Sequence, residues 1–313
     1  IAPDAISEKG RELLEQRKFS EQIKPGMDIA VTCGSREIAN IVSITKTIVD
    51  FVKEKGANPF IAAAMGSHGG AESAGQREIL KAQGITEESI GCPIKTDMDV
   101  GKIGVNEEGM DVFIDRNAAQ ADGIIVSCRI KPHTCFRGPY ESGIMKMMTI
   151  GLGKQIGAGV CHQLGYKHMA KYVPMFGKAI IQNCNIMFSV AVLENAYDET
   201  EEIVVLSHDE IEEKEPPLLE KAKKLLPRII VPECDLLVVD KIGKNYSGSG
   251  MDPNITGTFQ TPYASGGLKS QRVAVLDLSD ESHFSGAGIG AAHATTRRFF
   301  EKMDFDQTYP NLI

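Results

Sequence analysis

The apolar residues of the chain fall into two alternating patterns. Short continuous runs come at Met27-Asp-Ile-Ala-Val-Thr32 and Pro59-Phe-Ile-Ala-Ala-Ala64. Between them Ile41, Ile44, Ile48, Val49 and Val52 recur at helical spacing, and Gly56 stops the helix predicted over 38–55. A second helix is predicted over 71–83. Strand, turn and helix, repeated, is the pattern of a parallel sheet with crossover helices. Further strands are predicted over 110–115 and 123–127, the latter the apolar run Gly123-Ile-Ile-Val-Ser127, suited to a strand buried on both faces. Lys131-Pro132-His133 ends that region, because proline cannot donate to a sheet ladder. A helix-like run follows over 142–154, then a helix over 166–182, a β-leaning stretch over 185–193 and a short strand over 203–206. The charged helix predicted over 208–226 is expected to be interrupted by Pro216-Pro217. A charged helical segment over 7–18 opens the chain, and 84–104 has no readable period. The proline-flanked stretch 227–232 looks like a domain crossing. Beyond it come a strand over 234–240, a glycine-rich loop over 241–254 and a late strand over 271–278. The expected fold is α/β, in two α/β domains (1–226 and 227–313) with mainly parallel sheets and a cleft between them.

Composition narrows the function. The 313 residues are 42% hydrophobic and 24% charged, ordinary for a globular protein. A net charge of −8 without a basic stripe argues against nucleic acid. No apolar run approaches the roughly eighteen residues of a membrane span. The seven cysteines are scattered with no CxxC pair, which reads as reduced, cytoplasmic thiols. No signal peptide is visible.

Three strand-end loops gather polar residues among glycines: Cys33-Gly34-Ser35-Arg36, Gly66-Ser67-His68-Gly69-Gly70, and the 241–252 loop. Glycines let backbone N–H groups approach a ligand, and a helix start favours an anion. None is a dinucleotide or phosphate-loop motif, and Gly151-Leu-Gly-Lys154 is followed by Gln155 where Ser or Thr is required. His68 and His133 each follow a strand, so a pair of imidazoles could exchange protons on two sides of a substrate. The plainer reading of either is a hydrogen-bonded residue at a strand end. His162 adjoins Cys161. His68, His133 and His162 as a zinc site would suit a hydrolase, though no HxH or HxxxH pair joins them. His168 reads as a surface residue and His208 as a cap, while His283 and His293 receive no role. Lys146 stands in the apolar run Ile144-Met145-Lys146-Met147-Met148. It is either a snorkelling lysine or one whose amine is acylated by a cofactor.

Five of these elements, in order, resemble the lactate racemase family of nickel-pincer enzymes. They are Thr32-Cys33-Gly34-Ser35-Arg36, Gly66-Ser67-His68, Lys131-Pro132-His133, Ser142-Gly143-Ile144-Met145-Lys146 and His162. The resemblance implies a racemase or epimerase that inverts the C2 centre of a 2-hydroxy acid. It implies a pyridinium-3,5-bisthiocarboxylic acid mononucleotide bound covalently to Lys146 and holding nickel, with His162 as the protein's metal ligand. It further implies His68 and His133 as the catalytic acid–base pair, Ser35, Arg36 and Ser67 as cofactor contacts, and Arg36 on the substrate carboxylate. Cofactor-maturation enzymes would be partners. Cys33 and Lys131 depart from the acids usual at those positions. The 241–252 loop also departs, and Lys244, Asn245 and Asp252 are expected to stand in as substrate contacts. Competing readings are the zinc hydrolase and a non-catalytic small-anion-binding homologue.

Overall fold

The computed structural model describes residues 1–36 and 38–309. They form two compact units: Ile1–Pro132 with Gly138–Leu225, and His133–Arg137 with the chain from Leu226 onward.

In the first unit the strands are β1 (Asp28–Cys33), β2 (Asn58–Ala63), β3 (Ile94–Lys95), β4 (Val100–Val105), β5 (Asp111–Asp115), β6 (Gly123–Arg129), β7 (Ile186–Glu194) and β8 (Thr200–Ser207). Six of them make one sheet in the order β3-β2-β1-β6-β7-β8. Pairing is parallel except where β8 runs antiparallel to β7. The α/β expectation with a mainly parallel sheet is met. The continuous apolar runs explain it: β1 and β2 are buried at five of six positions and β7 at all but its last, as strands covered on both faces must be. The helix Ile41–Glu54 turns Ile44, Ile48, Val49, Phe51 and Val52 into a core shared with Ile29, Val31 and Phe188. The chain steps outward from β1 to β3 on one side and from β6 to β8 on the other. The switch point therefore lies between β1 and β6.

The strand expected over 110–115 is β5, which pairs antiparallel with β4 in a hairpin apart from the main sheet. Two expectations are corrected. The helix Ile211–Leu225 runs through Pro216 and Pro217 without interruption. Pro216 has no N–H for the carbonyl of Glu212, but the Tyr140 hydroxyl donates to that oxygen at 2.7 Å and restores the missing partner. The 142–154 run is not one helix. A short turn, Ile144–Lys146, passes into a wider π-turn, Met147–Gly151, and a new helix, Lys154–His162, starts with Lys154 at φ 53°. A side chain at Gly151 would come within 2.7 Å of the Ala64 carbonyl, so the turn lies tight against the end of β2. The unreadable 84–104 stretch holds the helix Glu87–Ile90, closed by a Thr86–Ser89 capping box, then β3 and most of β4.

The second unit carries β9 (Glu233–Ile242), β10 (Lys269–Leu278) and β11 (Ala294–Thr295), all parallel, in the order β11-β10-β9. Its own core gathers Ile242, Met251, Val273, Val275, Leu278 and Phe299. The segment His133–Arg137 is tied into this unit. The Arg137 N–H donates to the Tyr263 carbonyl at 3.0 Å, and the Thr261 hydroxyl donates to the Cys135 carbonyl. Among the described residues no helix is long and apolar enough to cross a membrane.

Candidate functional site

At the switch point the β1–β6 ladder stops at Val31 paired with Ile125. One residue on, the side chain of Thr32 takes over. Its hydroxyl donates to the Ser127 carbonyl at 3.1 Å and accepts the Ser127 N–H at 2.9 Å. A threonine can do both at once because its hydroxyl is donor and acceptor. The strands part beyond this clasp, and Gly34, Ser35 and Arg36 leave the end of β1.

The loops after β1 and β2 rest on the same turn. A Cβ on Gly34 would stand 3.0 Å from the Met147 methyl. The Gly66 N–H donates to the Gly151 carbonyl at 3.1 Å, with Gly66 in the left-handed region at φ 58°. Lys146, half-buried, enters that turn. Arg36, Ser67, His68 and Lys146 are thus carried by segments packed at one edge of the sheet. Arg36, Ser67 and His68 are exposed and Ser35 is half-buried. Surrounding protein and then the charge of Arg129 lower the Arg36 pKa, yet a guanidinium stays charged and fit to hold a carboxylate.

His162 ends the helix Lys154–His162 and is exposed. Its pKa is lowered, first by desolvation and then by the positive charge of Lys146. The same charge acts on the neighbouring Cys161 thiol, which burial pushes up to about 12. Lys146 and the end of this helix therefore share one electrostatic neighbourhood. A neutral imidazole keeps a lone pair for a metal. Removing the lysine charge in Lys146→Met is expected to move the His162 titration upward, as followed by NMR; an unmoved midpoint would show that the two side chains do not sense each other.

The turn that presents Lys146 is held from behind by Glu215, a buried carboxyl that sequence reasoning passed over beside the proline pair. It accepts the Met145 N–H at 3.1 Å and also bonds the Ile144 N–H. Burial raises its pKa from 4.5 to about 7, against the lowering effect of those two bonds. The folded state thus binds this proton more tightly than the unfolded chain. Stability from this group is greatest below pH 4.5 and is lost as pH rises toward 7. The full loss is on the order of 3 kcal/mol. Glu215→Gln is expected to flatten that part of the stability–pH curve in chemical denaturation. A variant with the wild-type slope would remove Glu215 as its source.

His133 belongs to the second unit. Its Nδ1 accepts the Cys135 N–H at 3.0 Å and its ring lies 4.5 Å from that of Phe136. The neutral imidazole therefore carries its hydrogen on Nε2. In the same unit the Asp252 carboxylate accepts the Asn254 N–H at 2.9 Å as the cap of the helix Pro253–Thr256. Asn245 accepts the Ser279 hydroxyl at 2.6 Å, and Lys244 is half-buried. A cavity of about 920 Å³ lies between the starts of β9 and β10 and residues 257–268, lined by none of the residues the sequence singles out.

Sequence reasoning also missed a buried set. Lys154, set aside as a failed phosphate loop, is fully buried, with Nζ 3.2 Å from the carboxylate of the equally buried Asp115. It donates to the Ala63 carbonyl at 2.6 Å and to Gln76 Oε1 at 3.2 Å. Burial lowers its pKa, with Asp115 pulling the other way.

Among the described residues no three His, Cys, Asp or Glu side chains are grouped to hold a metal ion. A metal that arrives within an organic chelate needs only a single protein donor, and the neutral His162 near Lys146 fits that case.

No curated protein matches the chain by sequence. Among solved structures, the lactate racemase apoprotein from Thermoanaerobacterium thermosaccharolyticum matches with a TM-score of 0.58 at 12% identity, over 88% of this chain and 67% of that one. A structural-genomics protein from Thermotoga maritima matches with a TM-score of 0.63 at 13% identity, over 88% and 70%. At such identities the likeness is one of fold. Residues 26–211, more than half of the chain, match the family described as a domain of unknown function, DUF362, and the chain belongs to that family.

Proposed function

We propose that the protein is a racemase or epimerase acting at C2 of a 2-hydroxy acid, with a nickel-pincer mononucleotide attached through Lys146 and its metal ligated by His162. The observation that carries the reading is the packing of the Arg36 and His68 loops on the turn that presents Lys146, at the sheet edge where α/β proteins bind ligands. When bound, the cofactor supplies hydride acceptance and return at the substrate carbon. The chain supplies the rest. His68 takes the hydroxyl proton as the C2–H bond gives up its hydrogen with both electrons, leaving a planar 2-keto acid. Return to the opposite face, with a proton given back to oxygen, completes the inversion. Arg36 holds the carboxylate through its planar guanidinium. Ser35 and Ser67 are the proposed polar contacts of the nucleotide. His133 is proposed as the second proton-exchanging group. Lys244 and Asn245 are proposed substrate contacts. The same role for Asp252 would compete with its capping bond. Cofactor-maturation enzymes are the proposed partners.

The test is a screen of enantiopure 2-hydroxy acids with protein co-produced with those enzymes. One acid is expected to lose optical rotation without net loss of material. A loaded protein that racemises none of them, or one that hydrolyses esters or amides instead, would contradict the proposal.

A further inference from the structure

We propose that Gln76 is a positioning residue for His68, and that the buried Lys154–Asp115 pair exists to orient it. The inference rests on the proton-exchange role given to His68 above. Gln76 is fully buried on the helix Ser73–Ala82. Its amide nitrogen donates to the Gly66 carbonyl at 2.9 Å and to the His68 carbonyl at 3.2 Å, one on either side of Ser67. Its amide oxygen faces Lys154 Nζ at 3.2 Å.

An ammonium only donates, so it admits the amide in one orientation: oxygen toward Lys154, NH₂ toward the loop. A buried ion pair is costly, and apolar residues of the same volume often serve stability better. What the pair gives in return is direction. Asp115 holds the ammonium while its other oxygen caps the helix Arg116–Gln120 by accepting the Ala118 N–H at 2.9 Å. The chain of contacts thus runs from that cap through Lys154 and Gln76 to the backbone of the His68 loop. Gly69 and Gly75 complete the clamp: a Cβ on either would collide with the other's backbone, so the loop lies directly on the start of the helix. The His68 backbone is fixed while its side chain stays at the surface.

The test compares Gln76→Glu with the wild type. The carboxylate keeps the volume and the contact to Lys154 but loses both donors. In protein without cofactor, the ¹H–¹³C imidazole signal of His68 is expected to shift or broaden, with those of His168 and His208 unchanged and thermal melting cooperative. In cofactor-loaded protein kcat is expected to fall on the order of 10- to 100-fold with KM held within about threefold. An unchanged His68 signal, or an unchanged kcat, overturns the proposal. Should Gln76→Glu fail to fold, the double change Lys154→Met with Asp115→Leu leaves Gln76 in place but unoriented. It must disturb the same His68 signal, and an undisturbed signal overturns the proposal equally. The NMR arm needs no turnover. A shifted His68 in a protein that racemises nothing would sink the functional reading and leave the positioning role standing.

Discussion

Lys146→Arg is expected to abolish turnover in protein co-produced with the maturation enzymes, by on the order of 10⁴-fold or more, since the cofactor carries the hydride chemistry. Arginine keeps the positive charge and the helix propensity of the turn, so the fold should survive. It lacks a nucleophilic amine, because the guanidinium stays protonated and delocalised. The substitution therefore separates attachment from charge. Steady-state rates on whichever 2-hydroxy acid the wild type accepts, with circular dichroism as the control, are the measurement. Lys146→Arg with more than a few per cent of wild-type activity would show that the lysine is not the attachment point.

The second large effect is on stability. Asp115→Ala should destabilise the first unit by about 3–5 kcal/mol, because it leaves the Lys154 ammonium buried and unpaired. A typical domain has only about 5–15 kcal/mol in total, so the variant should melt far earlier and accumulate poorly. The double change Asp115→Leu with Lys154→Met should recover most of the loss, since the buried charge leaves with its partner. Urea denaturation of the single and double variants measures both quantities. A double variant as unstable as Asp115→Ala would place the loss in packing or in the Ala118 cap.

The parallel sheet was legible because β1, β2 and β6 are continuous apolar runs and the helix Ile41–Glu54 keeps a clean period. The loops bearing Arg36 and His68 were legible for the same reason: each follows a strand whose end glycines mark. The rest was settled by tertiary contacts that no local window contains. The helix Ile211–Leu225 survives two prolines with help from Tyr140, which lies 72 positions from the carbonyl it binds. The 142–154 run breaks where Gly151 meets the end of β2. Lys154 looked like a motif lacking its last residue; its partners Asp115 and Gln76 lie 39 and 78 positions away, and nothing nearby marks it as buried. Pro132 marks the end of the β6 region in the sequence, but nothing local shows that His133–Arg137 groups with the second unit, through bonds to Tyr263 and Thr261.

The most direct test is intact mass and bound nickel on three proteins co-produced with the maturation enzymes: wild type, Lys146→Arg and His162→Ala. The wild type should carry the added mass of the mononucleotide with stoichiometric nickel. Lys146→Arg should carry neither, and His162→Ala should keep the added mass with little nickel. The same adduct on Lys146→Arg, or none on the wild type, would contradict the assignment of Lys146 and His162 as the site's two anchors.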